Sequence, residues 1–477
     1  MMEPIEKRSP RRCMIDRRQF VMNGGRLLLA APAWMASPQV AWPEASVSNA
    51  AAQTHQPTPP KSAPLQLNVR DLGAIGDGNT KDTPAFQRAI DRCAALGGGE
   101  VIVPAGRYLT GAICLRSNTT LKLSDGAELT GSSDLADYLV THVRWEGKWI
   151  QGRAGLIYAI DAENLAIAGS GTVIGGPSLG GRPNERDPLR RPALIEFIRC
   201  RNIRLEGFST SYSHMWSVHP ADCEDILIRG LTIRSTGGNG DGIDVDSCKR
   251  VWIDRCDIST GDDCISLKSG RGMEGWTIGH PTEDVRITNC TLADSIFACI
   301  GIGSETSGGI RNVRIEHCRF THARTYAIYI KTRAGRGAFI EDIAADDLDV
   351  SGMEGGLIRL NLLSSGIQDE SPVAGLDGIP STAGFRFSNI RVTGCPVLVD
   401  GASISQEKPL NGFSLINVKG TCSKGISLAH VRHAEIRNVE VTGYAGPLIQ
   451  TEDVTGKRLS GAKPIEKPQA VGKIGSH

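Results

Sequence analysis

A short pattern of alternating apolar and polar residues recurs through the middle of the chain. Its period of two residues is typical of a β-strand with one buried face. Successive copies are 23, 25, 34 and 28 residues apart, lengths that suit one coil of a β-solenoid with loops of variable size. The repeat therefore predicts an all-β fold built from stacked coils. The aliphatic positions that mark the five copies are Ile203, Ile226, Val251, Val285 and Val313.

Weaker copies of the pattern continue beyond these five, at Ile340, Phe385, Phe413 and Ala434. We therefore expect the solenoid to run nearly to the C-terminus. The chain has 56 glycines and an aromatic content of only 5%, which also favours many short strands and tight turns over large helices.

The cysteines follow the same repeat, because three lie three residues before an aliphatic position and three lie five residues after one. Equivalent positions on successive coils stack in line, so we expect small buried side chains here. Free thiols are favoured because parallel strands aim stacked side chains alongside one another. None of the 13 cysteines forms a CxxC pair, which argues against a zinc site. The six residues are Cys200, Cys223, Cys248, Cys256, Cys290 and Cys318.

One helix is predicted near the start of the solenoid, where an open end would expose unpaired backbone. Asp82 is its expected N-cap, Pro84 suits its first turn and Gly97 can end it. We expect this helix to cap the N-terminal opening. The apolar residues of its inner face are Phe86, Ile90 and Cys93.

The charge balance excludes one broad class of partner. Lys and Arg total 53 against 52 for Asp and Glu, a formal net charge of +1. Such a chain has no long-range electrostatic field that would attract nucleic acid or an anionic membrane surface. A polyanion would have to be recognised locally.

The N-terminal segment has the features of an export signal. The sequence Asp-Arg-Arg-Gln-Phe-Val, which starts at Asp16, precedes an apolar run from Leu27 to Ala33 and resembles a twin-arginine signal. The run is much shorter than the ~20 residues that a membrane span needs. We expect a signal peptide at 1–36, a disordered linker at 37–64, a catalytic β-helix domain at 65–460 and a tail at 461–477. The mature protein is then expected to be periplasmic or secreted, monomeric and free of the membrane.

Two acidic segments lie on neighbouring copies of the repeat. The segments Asn239-Gly-Asp241 and Gly261-Asp262-Asp263 place their first aspartates 21 residues apart, about one coil. Asp241 and Asp262 are therefore expected nearly one above the other, with Asp263 beside them. Like charges so close raise at least one pKa, as a general acid at mildly acidic or neutral pH requires. Either segment alone also fits a turn or a structural ion site, but their spacing favours catalysis.

These segments resemble those of glycoside hydrolase family 28, the polygalacturonases and rhamnogalacturonan hydrolases. The similarity spans roughly residues 65 to 340, with several motifs in the family's order. It implies an all-β, single-stranded right-handed parallel β-helix (a solenoid) with an N-terminal capping helix. It also implies a hydrolase of acidic, galacturonate-containing pectic polysaccharide that needs no cofactor and no metal. Besides the acidic segments, the motifs are Asn68-Val-Arg-Asp-Leu-Gly-Ala-Ile-Gly-Asp-Gly, Trp216-Ser-Val-His219-Pro, Gly303-Ser-Glu-Thr-Ser-Gly-Gly and Lys331-Thr-Arg-Ala-Gly-Arg-Gly.

The resemblance also implies roles for individual residues. Asp262 would protonate the glycosidic oxygen as the general acid, while Asp241 and Asp263 would activate a water for attack with inversion. Lys331 would meet a substrate carboxylate as a point charge. The other predicted substrate-binding residues are Tyr329, Asn239, His219 and Arg333.

Two residues of the family pattern are replaced in this chain. Where the family has Gly-His-Gly, this chain reads Ile296-Phe297-Ala298, so Phe297 or Ala298 stands in place of the histidine. The arginine of the family's Arg-Ile-Lys is Tyr329, which loses a bidentate carboxylate clamp and offers a ring face and one hydroxyl. Arg359, on a later coil, is a candidate for the missing guanidinium. A rhamnogalacturonan or another substituted pectin is therefore an alternative substrate.

Two further functions fit the same fold. Pectate lyases share the β-helix and use bound Ca²⁺ with a basic residue that abstracts a proton. Asp241, Asp262 and Asp263 could hold calcium, but no Arg or Lys adjoins them within the motif. A non-catalytic glycan-binding β-helix would account for the replaced His and Arg, although all three aspartates are retained.

Overall fold

The described coils stack their strands in parallel rows that together form a right-handed β-helix, and in the later coils one long strand runs through more than one row. The five aliphatic positions of the repeat lie directly opposite one another on successive strands, from Ile203 through Ile226, Val251 and Val285 to Val313. Their side chains are at most 3% exposed and form part of one continuous core. The predicted coil register and the all-β solenoid are therefore confirmed.

The structure is a computed structural model that describes residues 65–465, apart from 178, 180, 181 and 214. The predicted signal peptide (1–36) and linker (37–64) lie outside the described residues, as does the tail beyond residue 465. No helix within the described part is long and apolar enough to cross a membrane.

Within residues 65–465 nearly all strands pair in parallel, and Val140–Trp145 with Lys148–Arg153 is the one antiparallel pair of strands among the described residues. In chain order they are β1 (Gln66–Asn68), β2 (Asp77–Lys81), β3 (Gly99–Val103), β4 (Gly106–Thr110), β5 (Ile113–Cys114), β6 (Thr119–Leu123), β7 (Ala127–Gly131), β8 (Val140–Trp145), β9 (Lys148–Arg153), β10 (Ile157–Ile160), β11 (Glu163–Gly169), β12 (Thr172–Ile174), β13 (Ile195–Ile198), β14 (Arg201–Glu206), β15 (Ser209–Ser213), β16 (Val218–Ala221), β17 (Glu224–Arg229), β18 (Thr232–Ser235), β19 (Ile243–Asp246), β20 (Lys249–Asp254), β21 (Asp257–Ser259) and β22 (Ile265–Lys268). They continue with β23 (Thr282–Thr288), β24 (Thr291–Ala293), β25 (Ile300–Ile302), β26 (Ile310–Phe320), β27 (Tyr326–Lys331), β28 (Phe339–Ser351), β29 (Gly356–Asn361), β30 (Ser381–Ser403), β31 (Leu410–Thr442), β32 (Ile449–Lys457) and β33 (Lys463–Pro464).

Two α-helices and three short 3-10 turns complete the described chain. The helices are α1 (Thr83–Ala95) and α2 (Gly272–Ile278), and the 3-10 turns are Val69–Leu72, Leu135–Asp137 and Gly375–Gly378. The last strand, β33, pairs with β32, so the solenoid's final rung lies beyond the boundary expected at residue 460.

The helix α1 packs on the first coils, as the sequence predicts. Phe86, Ile90 and Cys93 of its inner face are fully buried. Asp82 occupies the N-cap position, but its side chain makes no capping hydrogen bond and accepts instead from the backbone N–H groups of Ile75 and Gly76. The expected capping role of this carboxylate is therefore wrong, because the preceding loop offers it two donors.

The stacked cysteines line the interior. Cys200, Cys223 and Cys248 follow one another on successive coils, with backbone N–H groups within 3.4 Å of the next sulfur. Every cysteine of the described chain is a free thiol, as predicted.

A hairpin and a loop border the sheet that carries the acidic segments. Strands β8 and β9 form this antiparallel hairpin, and the N–H of Trp149 donates to Glu274 of α2 at 2.9 Å. Lys148 Nζ lies 3.1 Å from Asp369 Oδ2, which also pairs with Arg271 at 3.2 Å. Segments that are far apart in sequence are thus joined beside this sheet.

Candidate active site

The strand register brings the two acidic segments together. Ile243 of β19 pairs with Ile265 of β22, and the preceding Gly242 N–H donates to the carbonyl of Asp263. The offset between these coils is therefore 22 residues, and Asp263 lies opposite Asp241. The expectation that Asp262 lies above Asp241 is wrong by one residue; Asp262 lies beside this pair.

The three carboxylates form one cluster. Oxygen atoms of Asp241, Asp262 and Asp263 lie within 4.8 Å of one another. Asp241 and Asp263 are only 4% and 3% exposed, whereas Asp262 is half-buried and faces the cleft. Burial and the negative charges around it raise the pKa of Asp241 well above its usual value, and burial raises the pKa of Asp263 to about 6. The cluster therefore holds protons at mildly acidic pH.

A glycine in the next coil makes room for one of these carboxylates. Gly301 of β25 pairs with Ser266 of β22, and a Cβ at Gly301 would collide with the carboxylate of Asp263. The N–H of Ala298 donates to the same carboxylate at 3.1 Å. Asp263 is therefore held in place by the backbone of the following coil.

A buried lysine that the sequence reasoning missed sits beneath Asp241. Lys268 Nζ lies 3.6 Å from Asp241 Oδ2, forms a closer ion pair with Asp244, and is 4.1 Å from the centre of the Trp216 ring. Burial acts to lower the pKa of Lys268, but the charges of Asp244 and Asp241 outweigh it and raise this pKa well above normal. The ammonium is therefore a fixed positive charge. The sequence signal that could have found it is the position of Lys268 at the end of β22, the strand that directly follows Asp262 and Asp263.

Lys331 lies on the other side of the cluster. Its Nζ is 3.0 Å from Asp263 Oδ2 and 4.2 Å from the centre of the Phe297 ring. Burial acts to lower the pKa of Lys331, but the charge of Asp263 raises it above its usual value. The predicted substrate-binding lysine is therefore already paired with a carboxylate of the site.

Phe297, one of the two candidates for the place of the family's histidine, contacts Tyr329. The rings of Phe297 and Tyr329 stack, with centroids 5.5 Å apart and planes at 16°. Tyr326 lies 6.0 Å from Tyr329 at a tilt of 58°. Phe297, Tyr329 and Tyr326 therefore form an aromatic patch of three rings.

His219 lies below the surface rather than in the cleft wall. Its ring is fully buried, its Nδ1 is 3.0 Å from Glu196 Oε1, and it packs edge-on against Trp216. Glu196 is also held by Arg190 through two hydrogen bonds of 2.6 and 2.8 Å. Burial opposes ionisation of Glu196, but Arg190 outweighs it and lowers the pKa to about 2. In this geometry His219 contacts the cleft only through Trp216.

The remaining predicted residues fall in different places. Asn239 lines the cleft together with the three aspartates. Arg333 donates to the carbonyl of Gly366 at 2.6 Å, on the loop after β29. Arg359 is the register neighbour of Tyr329, as a substitute guanidinium would need to be, but it forms an ion pair with Asp400 of the following coil.

Two lysines beside the acidic cluster affect whether it can bind a metal ion. The spacing of the carboxylates could hold a metal ion, and Oδ1 of Asp241 has no hydrogen-bond partner. However, Lys268 and Lys331 already bring two ammonium groups to Asp241 and Asp263. These charges would repel a divalent cation. The donor set therefore fits proton chemistry better than calcium binding.

The cleft around the cluster is asymmetric along the solenoid. On the coils before Asp241, Glu196 and His219 are at most 1% exposed. His219 packs against Trp216, which stacks on Trp145 at 5.6 Å. On the coils after it, the side chain of Arg359 is 27% exposed. The site is thus closed toward the N-terminal coils and open toward the C-terminal ones.

Known proteins resemble this chain in sequence. Residues 93–359 match the model of glycosyl hydrolases family 28. A probable polygalacturonase of Vitis vinifera is 36% identical over 286 residues, and one of Arabidopsis thaliana is 29% identical over 313 residues. These alignments cover 57% and 64% of this chain, and they span only 58% and 63% of the relatives' own length.

Solved structures resemble it in fold. An exopolygalacturonase of Thermotoga maritima is 30% identical with a TM-score of 0.71, and the match covers 80% of this chain and 93% of that one. A family 28 exopolygalacturonase of Yersinia enterocolitica has a TM-score of 0.69 at 22% identity, covers 84% and 79% of the two chains, and shows the common fold alone. With a family match over more than half of its length, this chain belongs to family 28 of the glycosyl hydrolases.

Proposed function

We propose that this protein hydrolyses glycosidic bonds in galacturonate-containing pectic polysaccharide, with the three-aspartate cluster as its catalytic centre. The observation that carries the proposal is the meeting of Asp241, Asp262 and Asp263 within 4.8 Å at the floor of a cleft. The names of the similar proteins, polygalacturonase and exopolygalacturonase, support the substrate class. Glycoside hydrolysis needs one carboxyl that donates a proton and another that activates water or attacks.

In this proposal Asp262 is the general acid. It is the most exposed of the three carboxyls and lines the cleft, so it can reach a glycosidic oxygen. Its carboxyl lies within 4.8 Å of those of Asp241 and Asp263, so all three can take part in one proton transfer. The backbone N–H of Asp263 donates to Asp262 Oδ1 at 3.1 Å and orients it.

Asp241 and Asp263 are the partners that activate water. Oδ1 of Asp241 is free to accept the proton, while Lys268 holds Oδ2 of the same side chain. A water that attacks from here would invert the anomeric centre. Inverting enzymes commonly have carboxyls ~6.5–9.5 Å apart, farther than in this cluster, so direct attack by a carboxylate and retention is the competing outcome. NMR of the first anomer formed distinguishes the two.

The experiment that tests the proposed function compares the mature protein with its Asp262→Asn variant. Both are incubated with polygalacturonan and rhamnogalacturonan, and reducing ends and the ultraviolet absorbance of unsaturated products are followed. Reducing ends without absorbance, lost in the variant by about a thousandfold or more, are the expected result. Asp257→Asn, which changes an exposed aspartate paired with Arg234, is the matched control and should retain activity.

A β-eliminating lyase is the competing reaction on this fold. It needs a neutral basic residue that abstracts a proton. The lysines at the cluster, Lys268 and Lys331, have pKa values held above normal by neighbouring carboxylates, after burial has acted in the opposite direction. Both remain protonated and are poor bases. An increase in ultraviolet absorbance in the same assay would show that the protein catalyses elimination and not hydrolysis.

We further propose that the protein acts after export by the twin-arginine route, in the periplasm or outside the cell, because a polysaccharide is too large to reach an interior enzyme. The supporting feature is the pair Arg17-Arg18 before the apolar run. Replacing both arginines by lysine should leave the protein in the cytoplasmic fraction. Unchanged fractionation would contradict this route.

A further inference from the structure

The aromatic patch of Phe297, Tyr329 and Tyr326 adjoins the acidic cluster on the open side of the cleft. Tyr329 follows Gly301 on the same row of the sheet, and Gly301 is the residue that makes room for Asp263. Lys331 links the two, because its ammonium contacts both Asp263 and the Phe297 ring. A sugar next to the scissile bond on this side therefore lies over aromatic rings.

The cations that touch these rings are already neutralised by the protein. Lys331, beside Phe297 and Tyr329, is paired with Asp263. Arg359, over the ring of Tyr326 at 5.8 Å, is paired with Asp400. The hydroxyl of Tyr326 also donates to Asp400, at 3.3 Å. Each cation therefore already has one carboxylate partner within the protein, which offsets its charge.

The rings themselves disfavour a negative charge. The face of an aromatic ring carries a negative quadrupole, which repels a carboxylate and attracts the positively polarised C–H groups of a pyranose face. The carboxylate of Asp262, which lines the same cleft, adds to this repulsion. The local field therefore favours an uncharged sugar.

The backbone that carries Phe297 is fixed before a substrate arrives. Its N–H donates to Ser295 Oγ at 3.1 Å, and its carbonyl accepts from the N–H of Thr325 at 2.9 Å. Stacking on such a platform costs little ordering entropy. The patch is thus a preformed surface rather than a loose loop.

We propose that the aromatic patch binds an uncharged pyranose, either a neutral sugar or a methyl-esterified galacturonate, on the side of the scissile bond that faces the C-terminal coils. This inference rests on the proposed function and narrows its substrate to a mixed or esterified pectic chain. Tyr329 and Phe297 are then specificity-determining residues.

The first test measures kcat/KM of the wild-type protein on three polymers: polygalacturonan, its methyl-esterified form and rhamnogalacturonan. We expect kcat/KM on either the methyl-esterified polymer or rhamnogalacturonan, whichever is higher, to exceed kcat/KM on polygalacturonan by about tenfold or more. Preference for the esterified polymer would identify the ester as the uncharged group, and preference for rhamnogalacturonan would identify a neutral sugar. An equal or higher value on polygalacturonan would overturn the inference while leaving the hydrolase intact.

A second test measures the binding of oligosaccharides to the Asp262→Asn variant, which does not require catalytic turnover. Oligosaccharides of the same three kinds are titrated calorimetrically into this variant. Tighter binding of the esterified or mixed oligosaccharide supports the inference, whereas equal binding, tighter binding of oligogalacturonate or no binding overturns it. Absence of reducing ends from every polymer would instead contradict the proposed hydrolysis.

Two variants assign the preference to the patch. Tyr329→Arg, which introduces a guanidinium without a fixed protein partner, should shift the ratio of kcat/KM toward polygalacturonan by about tenfold or more. Phe297→Ala should raise KM for the preferred polymer by about tenfold with a smaller change in kcat. Tyr158→Ala, which removes a half-buried tyrosine from the other end of the same sheet, is the matched control. It should change neither the ratio of kcat/KM between polymers nor the KM for the preferred polymer. Unchanged substrate ratios in folded Tyr329→Arg protein would contradict the assignment.

Discussion

The ammonium nitrogen of Lys331 lies 3.0 Å from Oδ2 of Asp263, across one coil of the β-helix. Burial raises the pKa of Asp263 to about 6, and Lys331 opposes that rise. The ionised form of Asp263, which can accept a proton from water, therefore depends on this lysine.

Removing the positive charge should shift the pH dependence of catalysis. In Lys331→Met the pKa of Asp263 rises further above 6, so the acid limb of the kcat/KM profile moves to higher pH. Activity at pH 5 should fall more than activity at pH 8. Lys331→Arg keeps the charge and should keep the limb near its original position. An acid limb that stays in place in Lys331→Met would show that Asp263 is not the titrating base.

Asp241→Asn should inactivate the protein and stabilise it. The folded-state pKa of Asp241 is raised by burial above the unfolded value, so stability that is fully present below pH ~4 is lost as pH rises through the folded pKa. The asparagine removes this loss. We expect an unfolding free energy higher by about 1 kcal/mol at pH 8, with the gain vanishing near pH 4. A gain that is the same at both pH values would contradict this origin.

Lys268→Met should have the opposite effect on stability. It leaves the buried Asp244 without its counter-ion, which commonly costs ~3–5 kcal/mol. Burial raises the pKa of Asp244, so the loss should shrink as the pH falls and this carboxylate becomes protonated. Urea unfolding at pH 5 and pH 7.5 measures it. The control is Lys249→Met, which breaks a partly exposed pair with Glu283 and should cost less than about 1 kcal/mol at both pH values.

The closed side of the cleft predicts action at chain ends. Trp216 and Trp145 stack on the coils before the aspartates, and we expect them to stop a polysaccharide from continuing in that direction. Reducing ends should accumulate while the viscosity of the polymer falls little, and the first products should be mono- or disaccharides. Trp145→Ala should open this side and lengthen the products. A rapid early loss of viscosity with the wild-type protein would contradict chain-end action.

The coils could be predicted from the sequence because their alternation is local and the buried position is aliphatic in all five of the strong copies. Ile226 and Val251 lie in register for that reason. The hairpin of β8 and β9 could not be predicted in the same way, since its residues carry no repeat and are placed by contacts with α2 and Asp369.

The sequence predicts which aspartates form the candidate site, but it does not predict which of them lies opposite Asp241. The three aspartates are visible as motifs, whereas the choice of Asp263 over Asp262 as the neighbour of Asp241 is set by the pairing of β19 with β22, which begins two residues further on. Lys268 escaped notice because a lysine at the end of a strand commonly faces solvent. Its burial arises only when Trp216 covers it.

The unpaired thiols along the interior bear on when a protein of this kind has to fold if it is exported. Burial raises the pKa of thiols such as Cys223 and Cys299 well above normal, so in the folded state they are protected from oxidation. The same residues in an unfolded chain would meet oxidants freely and could be joined in wrong pairs. A protein of this kind that works in an oxidising compartment has to complete its folding before it arrives there, which suits transport of the finished β-helix rather than of a threaded chain.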